Sequence, residues 1–263
     1  MPTIQNGGIE LYYESTGAGD AVVLLHGLGS YVGDWRPQVE ALSDSFRIIA
    51  VDLRGHGRSG KPAGPYSVPQ FAADVAALIR ALDVGSAHVV GLSLGGAVAF
   101  QLAVDAPSLV RSLVIINSGP SFVANRQIRF ALFVRLLMLK VVGLKGLGGM
   151  IAKRLFPKTG QEPLRRGFLD HFVTNDRRAY QASTRALVGW TVADRLAEIT
   201  CPVLVMSGDR DYTPVSAKEA YMAALTNARL AVIRDAGHAC TLEQPDQVNQ
   251  ALRTFLSRDT GRI

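Results

Sequence analysis

A chain of 263 residues, 48% apolar and 19% charged, is long enough for one domain with a substantial core, and that composition excludes fibrous, low-complexity and disordered classes. Two cysteines, Cys201 and Cys240, are too few for a disulfide scaffold and stand in no metal-ligand spacing, so a reducing compartment and no metal are expected. The net charge of +6 is uneven: between Ser118 and Leu196 there are 14 Lys and Arg against 4 Asp and Glu, yet no aromatic-interleaved basic stripe accompanies them, which argues against nucleic acid as a partner.

The chain starts MPTIQNGGIELYYEST, without a basic stretch, an apolar run and a small-residue cleavage site, so the expected location is the cytoplasm. Ala21 to His26, Phe46 to Asp52, His88 to Gly91 and Ser112 to Asn117 are short runs rich in Val, Ile and Leu, the pattern of strands buried on both faces of a parallel sheet. Between them, Val68 to Leu82 carries apolar residues at helical spacing. Val84 to Val104 contains no charged residue over 21 positions, but Gly91, Ser93, Gly95 and Gly96 divide it into a strand, a tight turn and a helix rather than a membrane span.

After Thr200 the pattern returns, with strands predicted at Pro202 to Ser207 and Arg229 to Ile233 and a closing helix from Gln244 to Leu256 that begins near Pro245. The elements on both sides belong to one α/β sheet. What separates them is the basic segment, whose run Phe130 to Leu144 is apolar around most of a helical circumference and is expected to be part of an inserted helical cap. The expected division is a core of residues 1–118 and 200–263 with the cap at 119–199.

Gly91-Leu92-Ser93-Leu94-Gly95 fits the G-x-S-x-G pattern of a nucleophilic serine on a strand-to-helix turn, and it stands after a strand-like run and before a helix-like one. The turn is so sharp that Cβ atoms at positions 91 and 95 would collide with backbone, and Ser93 is expected to be strained. A serine needs a base, and the base an orienting carboxylate. Of five histidines only His238, in Asp235-Ala236-Gly237-His238, follows the late strands at a position from which it can reach the sheet's upper edge. The carboxylate is Asp211 or Asp209 in Gly208-Asp209-Arg210-Asp211; Asp211 is preferred, with Asp209 bracing the turn. Asn117 occupies another position where a carboxylate could have served. Backbone amides of Leu28, in His26-Gly27-Leu28-Gly29, and of Leu94 are the expected donors to an oxyanion. His26 and His56 are read as packing and turn residues; Trp35 and Trp190 line a pocket or fill a core.

With HGLG at 26–29, DLRGHGRS at 52–59, GLSLGG at 91–96, GDRDYTP at 208–214 and DAGH at 235–238, the sequence resembles the α/β-hydrolase superfamily, and within it the bacterial serine hydrolases. The resemblance implies an eight-stranded, mostly parallel sheet flanked by helices, with a helical cap inserted after the sixth strand. It also implies hydrolysis without a metal or organic cofactor. Ser93 at the elbow departs from the Asp of dehalogenases and epoxide hydrolases, and Ala239 departs from the Trp that often follows the histidine of carbon–carbon bond hydrolases. Carboxylesterases and 3-oxoadipate enol-lactonases remain, so a small-molecule ester or lactone is the expected partner, with an acyl thioester as a variant. A slow-turnover small-molecule receptor keeps the same residues. For the basic cap the expectations are a solvated face, an anionic partner or substrate, or, ranked last, peripheral contact with anionic lipid.

Overall fold

In the computed structural model, which describes residues 2–258, the alternation of apolar runs and helical patterns resolves into an eight-stranded sheet. Its strands are β1 (Thr3–Asn6), β2 (Ile9–Thr16), β3 (Ala21–Leu25), β4 (Arg47–Val51), β5 (Ala87–Leu92), β6 (Val110–Ile116), β7 (Val203–Gly208) and β8 (Ala228–Ile233). The order across the sheet is β1-β2-β4-β3-β5-β6-β7-β8, antiparallel for the first three and parallel from β4 onward. The helices are α1 (Arg36–Leu42), α2 (Val68–Ala81), α3 (Leu94–Asp105), α4 (Arg126–Leu155), α5 (Glu162–Phe172), α6 (Arg177–Leu187), α7 (Val215–Met222), α8 (Cys240–Glu243) and α9 (Pro245–Arg258).

The apolar runs are continuous because each central strand is covered twice. In β3, Val23 and Leu25 enter a core shared with Phe71 and Leu78 of α2 and Val98 and Leu102 of α3, whereas Val22 and Leu24 enter a second core with Leu42 of α1 and Val248 and Leu252 of α9. The same alternation runs through Leu113 and Val114 of β6 and Val205 and Met206 of β7. Ser67 starts α2 with a capping box: its hydroxyl accepts from Gln70 N at 3.3 Å while the Gln70 side chain accepts from Ser67 N at 3.0 Å. Trp190 is buried in the first core, its indole N–H donating to Gln101 at 2.7 Å.

Predicted and observed boundaries agree to within two residues. Two features differ in kind. The antiparallel pair β1–β2 and the helix α1 have no counterpart among the elements predicted from the pattern, because Thr3–Asn6 is short and polar and β2 is apolar only at Ile9 to Tyr13. The apolar run Phe130 to Leu144 lies within a longer helical stretch from Arg126 to Leu155 that is broken at Gly143, where φ is +65° and ψ −171°. Glycine reaches that conformation at little steric cost.

Between β6 and β7 the chain forms α4, α5 and α6, with a small apolar centre of Leu139, Leu147, Phe172 and Tyr180. Leu28 packs against both this centre and the main core. Phe172 closes over Gly29, where a Cβ would come within 2.7 Å of its ring, and Asn175 donates to Gly29 O at 3.0 Å. Residues 259–263, the end of the expected second core part, lie outside the described residues.

Candidate active site

Ser93 follows β5 and precedes α3 with φ +55° and ψ −112°, a conformation that an L-residue holds only under constraint from its surroundings. The constraint is visible around it. Ser93 N donates to Ile116 O at 3.0 Å, Ser118 Oγ donates to Ser93 O at 2.7 Å, and the first turn of α3 closes on Ser93 O through Ala97 N at 3.1 Å. A Cβ at Gly91 would lie 2.2 Å from Gly95 O, and one at Gly95 would lie 2.1 Å from Leu25 O. Both glycines of the pentapeptide are therefore required by contact with backbone.

The loop after β3 reaches the same place. A Cβ on Gly27 would stand 3.6 Å from Ser93 Cβ, so the backbone that leads into Leu28 runs past the serine. Leu94 begins α3, and its amide is among the first N–H groups of that helix, which have no partner within it. The DLRGHGRS segment holds this loop from behind. Asp52 accepts from Val32 N at 2.7 Å and Arg58 N at 2.8 Å, and Leu53 N donates to His26 Nε2 at 3.0 Å. His26 and His56 are fully buried here, and burial lowers their pKa from 6.5 to about 4 and about 3, so both stay neutral.

Across the sheet edge, His238 Nδ1 lies 2.6 Å from Asp211 Oδ1. The other carboxylate oxygen is 2.5 Å from Lys218 Nζ, an ammonium group on α7 that is buried with it. Lys218 Nζ also donates to Thr213 O at 2.6 Å and Thr213 Oγ1 at 2.5 Å, so its three donors are matched by three acceptors. Burial opposes ionisation of Asp211, but hydrogen bonds and charge from His238 and Lys218 outweigh it and hold the carboxyl well below the usual range. Asp209 does something different: its oxygens accept from Asp235 N at 2.9 Å and Ala236 N at 3.0 Å, bracing the turn that leads to His238. Tyr212 stacks on the His238 ring with centroids 4.5 Å apart, and the Arg154 guanidinium of α4 lies over the Tyr212 ring at 4.2 Å from its centroid.

The Ser93 hydroxyl makes no hydrogen bond to the His238 ring among the described residues. In free enzymes such bonds are commonly long and tighten only around a substrate. What brings the two loops together is the pair Asn117-Ser118 at the end of β6. Ser118 holds the Ser93 carbonyl. Asn117, in the left-handed region at φ +46°, donates from Nδ2 to Gly237 O at 3.0 Å and His238 O at 2.9 Å and accepts at Oδ1 from Gly208 N at 2.9 Å. Sequence reasoning noticed Asn117 only as a missing carboxylate and did not find Lys218. An Asn at a strand's carboxyl end was the available signal for the first; a lysine within a short helix gave none for the second.

A model described as the alpha/beta hydrolase family matches residues 22–251. A RutD protein of Azorhizobium caulinodans, named for carbamate hydrolysis, is 32% identical and the match covers 97% of this chain and 98% of that protein. Among solved structures, an enol-lactonase from Burkholderia xenovorans superposes with a TM-score of 0.90 at 27% identity, covering 97% of this chain and 100% of that one. A thermophilic esterase from Thermogutta terrifontis superposes with a TM-score of 0.87 at 28% identity, covering 98% and 97%.

Proposed function

The chain belongs to the alpha/beta hydrolase family, and from that premise we propose that it is a serine hydrolase that cleaves carboxylic esters through an acyl-enzyme. The observation that carries this reading is the strained Ser93 on its strand-to-helix turn, joined through Ser118 and Asn117 to a loop whose histidine is already paired with a buried carboxylate.

In this reading Ser93 Oγ attacks the carbonyl carbon while His238 Nε2 takes the hydroxyl proton, and the carbonyl oxygen's negative charge is received by the amides of Leu28 and Leu94. The proton then passes from His238 to the departing alkoxide, the C–O bond breaks and the alcohol leaves. Water attacks the acyl group, gives a proton to His238, and the acid departs as Ser93 recovers its proton. Asp211 fixes the imidazole with Nδ1–H turned toward itself and offsets the charge of the imidazolium. The scheme uses no metal or organic cofactor. In the same reading residues 119–199 are a cap on the core, and Leu28 packs against their apolar centre.

Enol-lactone hydrolysis is the second reading, favoured by the high superposition on the Burkholderia enzyme, and carbamate cleavage is the reading suggested by the RutD relative. All three share the attack on a carbonyl. A panel of p-nitrophenyl esters of increasing chain length, an enol-lactone and a carbamate ranks them by kcat/KM. Ser93→Ala should lower turnover of the best substrate by on the order of a thousandfold or more with the fold intact. Activity near that of the parent in Ser93→Ala overturns the serine mechanism. A single slow turnover across the whole panel favours a ligand receptor over an enzyme.

A further inference from the structure

The sequence presents Phe130 to Leu144 as apolar around most of a helical circumference. The structure divides it at Gly143, and its first half has two unlike faces. Leu139 is buried against Phe172 and Tyr180, and Arg135 is turned to that inner side. Its guanidinium donates to Tyr180 Oη at 2.8 Å and covers the ring. On the outer side Phe130, Phe133, Val134, Leu137 and Val141 are all exposed, Phe130 at 67% and Val141 at 67%. At ~100° per residue these five positions fall within a stripe ~100° wide. Arg126, Arg129 and Lys140, also exposed, fall together along one edge of that stripe.

Charge selects what can cover such a face. Residues 118–161 hold eight Lys or Arg and no Asp or Glu. A second copy of this chain would set one such segment against another, like charge on like charge. An acidic protein surface would satisfy the basic edge but leave large aromatic and aliphatic side chains without an apolar counterpart. A bilayer interface rich in anionic lipid offers both, with phosphate oxygens for the basic edge and acyl chains for the stripe. None of the described helices is long and apolar enough to cross a membrane, so the face lies along the surface.

We propose that the outer face of α4 from Arg126 to Val142 docks the protein on anionic membrane surfaces. Contact there puts the segment between β6 and β7 against the lipid, with Ser93 on the sheet edge behind it. The docking is independent of which bond the site cleaves, because it is read from partitioning and not from turnover.

The test is cosedimentation of the full chain with vesicles of phosphatidylcholine alone or mixed with phosphatidylglycerol. The expected result is binding to the mixed vesicles only. Phe130→Ser/Phe133→Ser/Leu137→Ser should reduce the bound fraction at least about tenfold, and Arg126→Glu/Arg129→Glu/Lys140→Glu should remove the preference for anionic lipid. Both variants change exposed side chains, and unchanged circular dichroism and Tm confirm their folds. Three results overturn the proposal: parent protein left in the supernatant with mixed vesicles at low salt; unchanged binding of the serine variant, which marks general attraction of a cationic protein; or a parent dimer by light scattering that the serine variant abolishes, which assigns the face to a second copy.

Discussion

Replacing Lys218 by Met removes the only cation that touches the second oxygen of Asp211 among the described residues. The ammonium and the imidazole sit on opposite oxygens of one carboxylate, at 2.5 and 2.6 Å from them. Burial raises the Asp211 carboxyl, but hydrogen bonds and charge from His238 and Lys218 outweigh it, so its ionisation contributes stability that is present above the ordinary carboxylate range and lost as pH falls through the depressed folded value. Without the lysine the carboxyl is held less low, and that loss sets in at higher pH as the solution is acidified. The assay is denaturant unfolding at successive pH values below neutrality. The variant also leaves a buried carboxylate with one partner fewer, which should cost about 3 kcal/mol or more of stability, read from denaturant unfolding. Lys218→Arg separates the effects by restoring a cation without the same fit. A Lys218→Met variant that keeps the parent's stability across that pH range would refute the electrostatic argument.

Asn117→Ala should lower kcat more than it raises KM, because it frees the His238 loop without touching the substrate, and should cost about 2–4 kcal/mol through its lost bonds to Gly208, Gly237 and His238. Equal effects on both kinetic constants would argue against a positioning role. Acid stability should fall first through the buried histidines: His26 and His56 have folded pKa values below the unfolded value, so their contribution is present above pH 6.5 and is lost as pH falls from there toward about 4 and about 3. His26→Gln should flatten that part of the stability curve in urea titrations at successive pH values. Burial pushes the Cys240 thiol up to about 12, so an aromatic disulfide reagent at pH 8 should modify Cys201 in the folded protein and reach Cys240 only on unfolding, as peptide mapping would show. Gly95→Ala should yield little folded protein, since its methyl group would enter the space held by Leu25 O.

The central strands were legible because burial on two faces leaves an unmistakable run of Val, Ile and Leu, as in AVVLL and SLVII. The sharp turn at Ser93 was legible because its glycine spacing is imposed by backbone contacts that the structure shows at Gly91 and Gly95. The antiparallel strands β1 and β2 were not, because β1 is only partly buried, the second half of β2 faces solvent, and both share their polar composition with loops. The break at Gly143 was hidden among the helical glycines Gly146, Gly148 and Gly149, which look identical in a sequence but keep helical geometry. The inward turn of Arg135 was not legible either, because its partner Tyr180 lies 45 residues further along the chain.

The bond from Asn175 to Gly29 O and the seat of Phe172 on Gly29 couple two parts that could otherwise move separately. The helices between β6 and β7 are thereby fastened to the main chain beside the Leu28 amide, and loosening either fastening frees the loop after β3. Were that amide to receive the oxyanion, as proposed, a displacement of those helices would be felt at the reacting carbonyl.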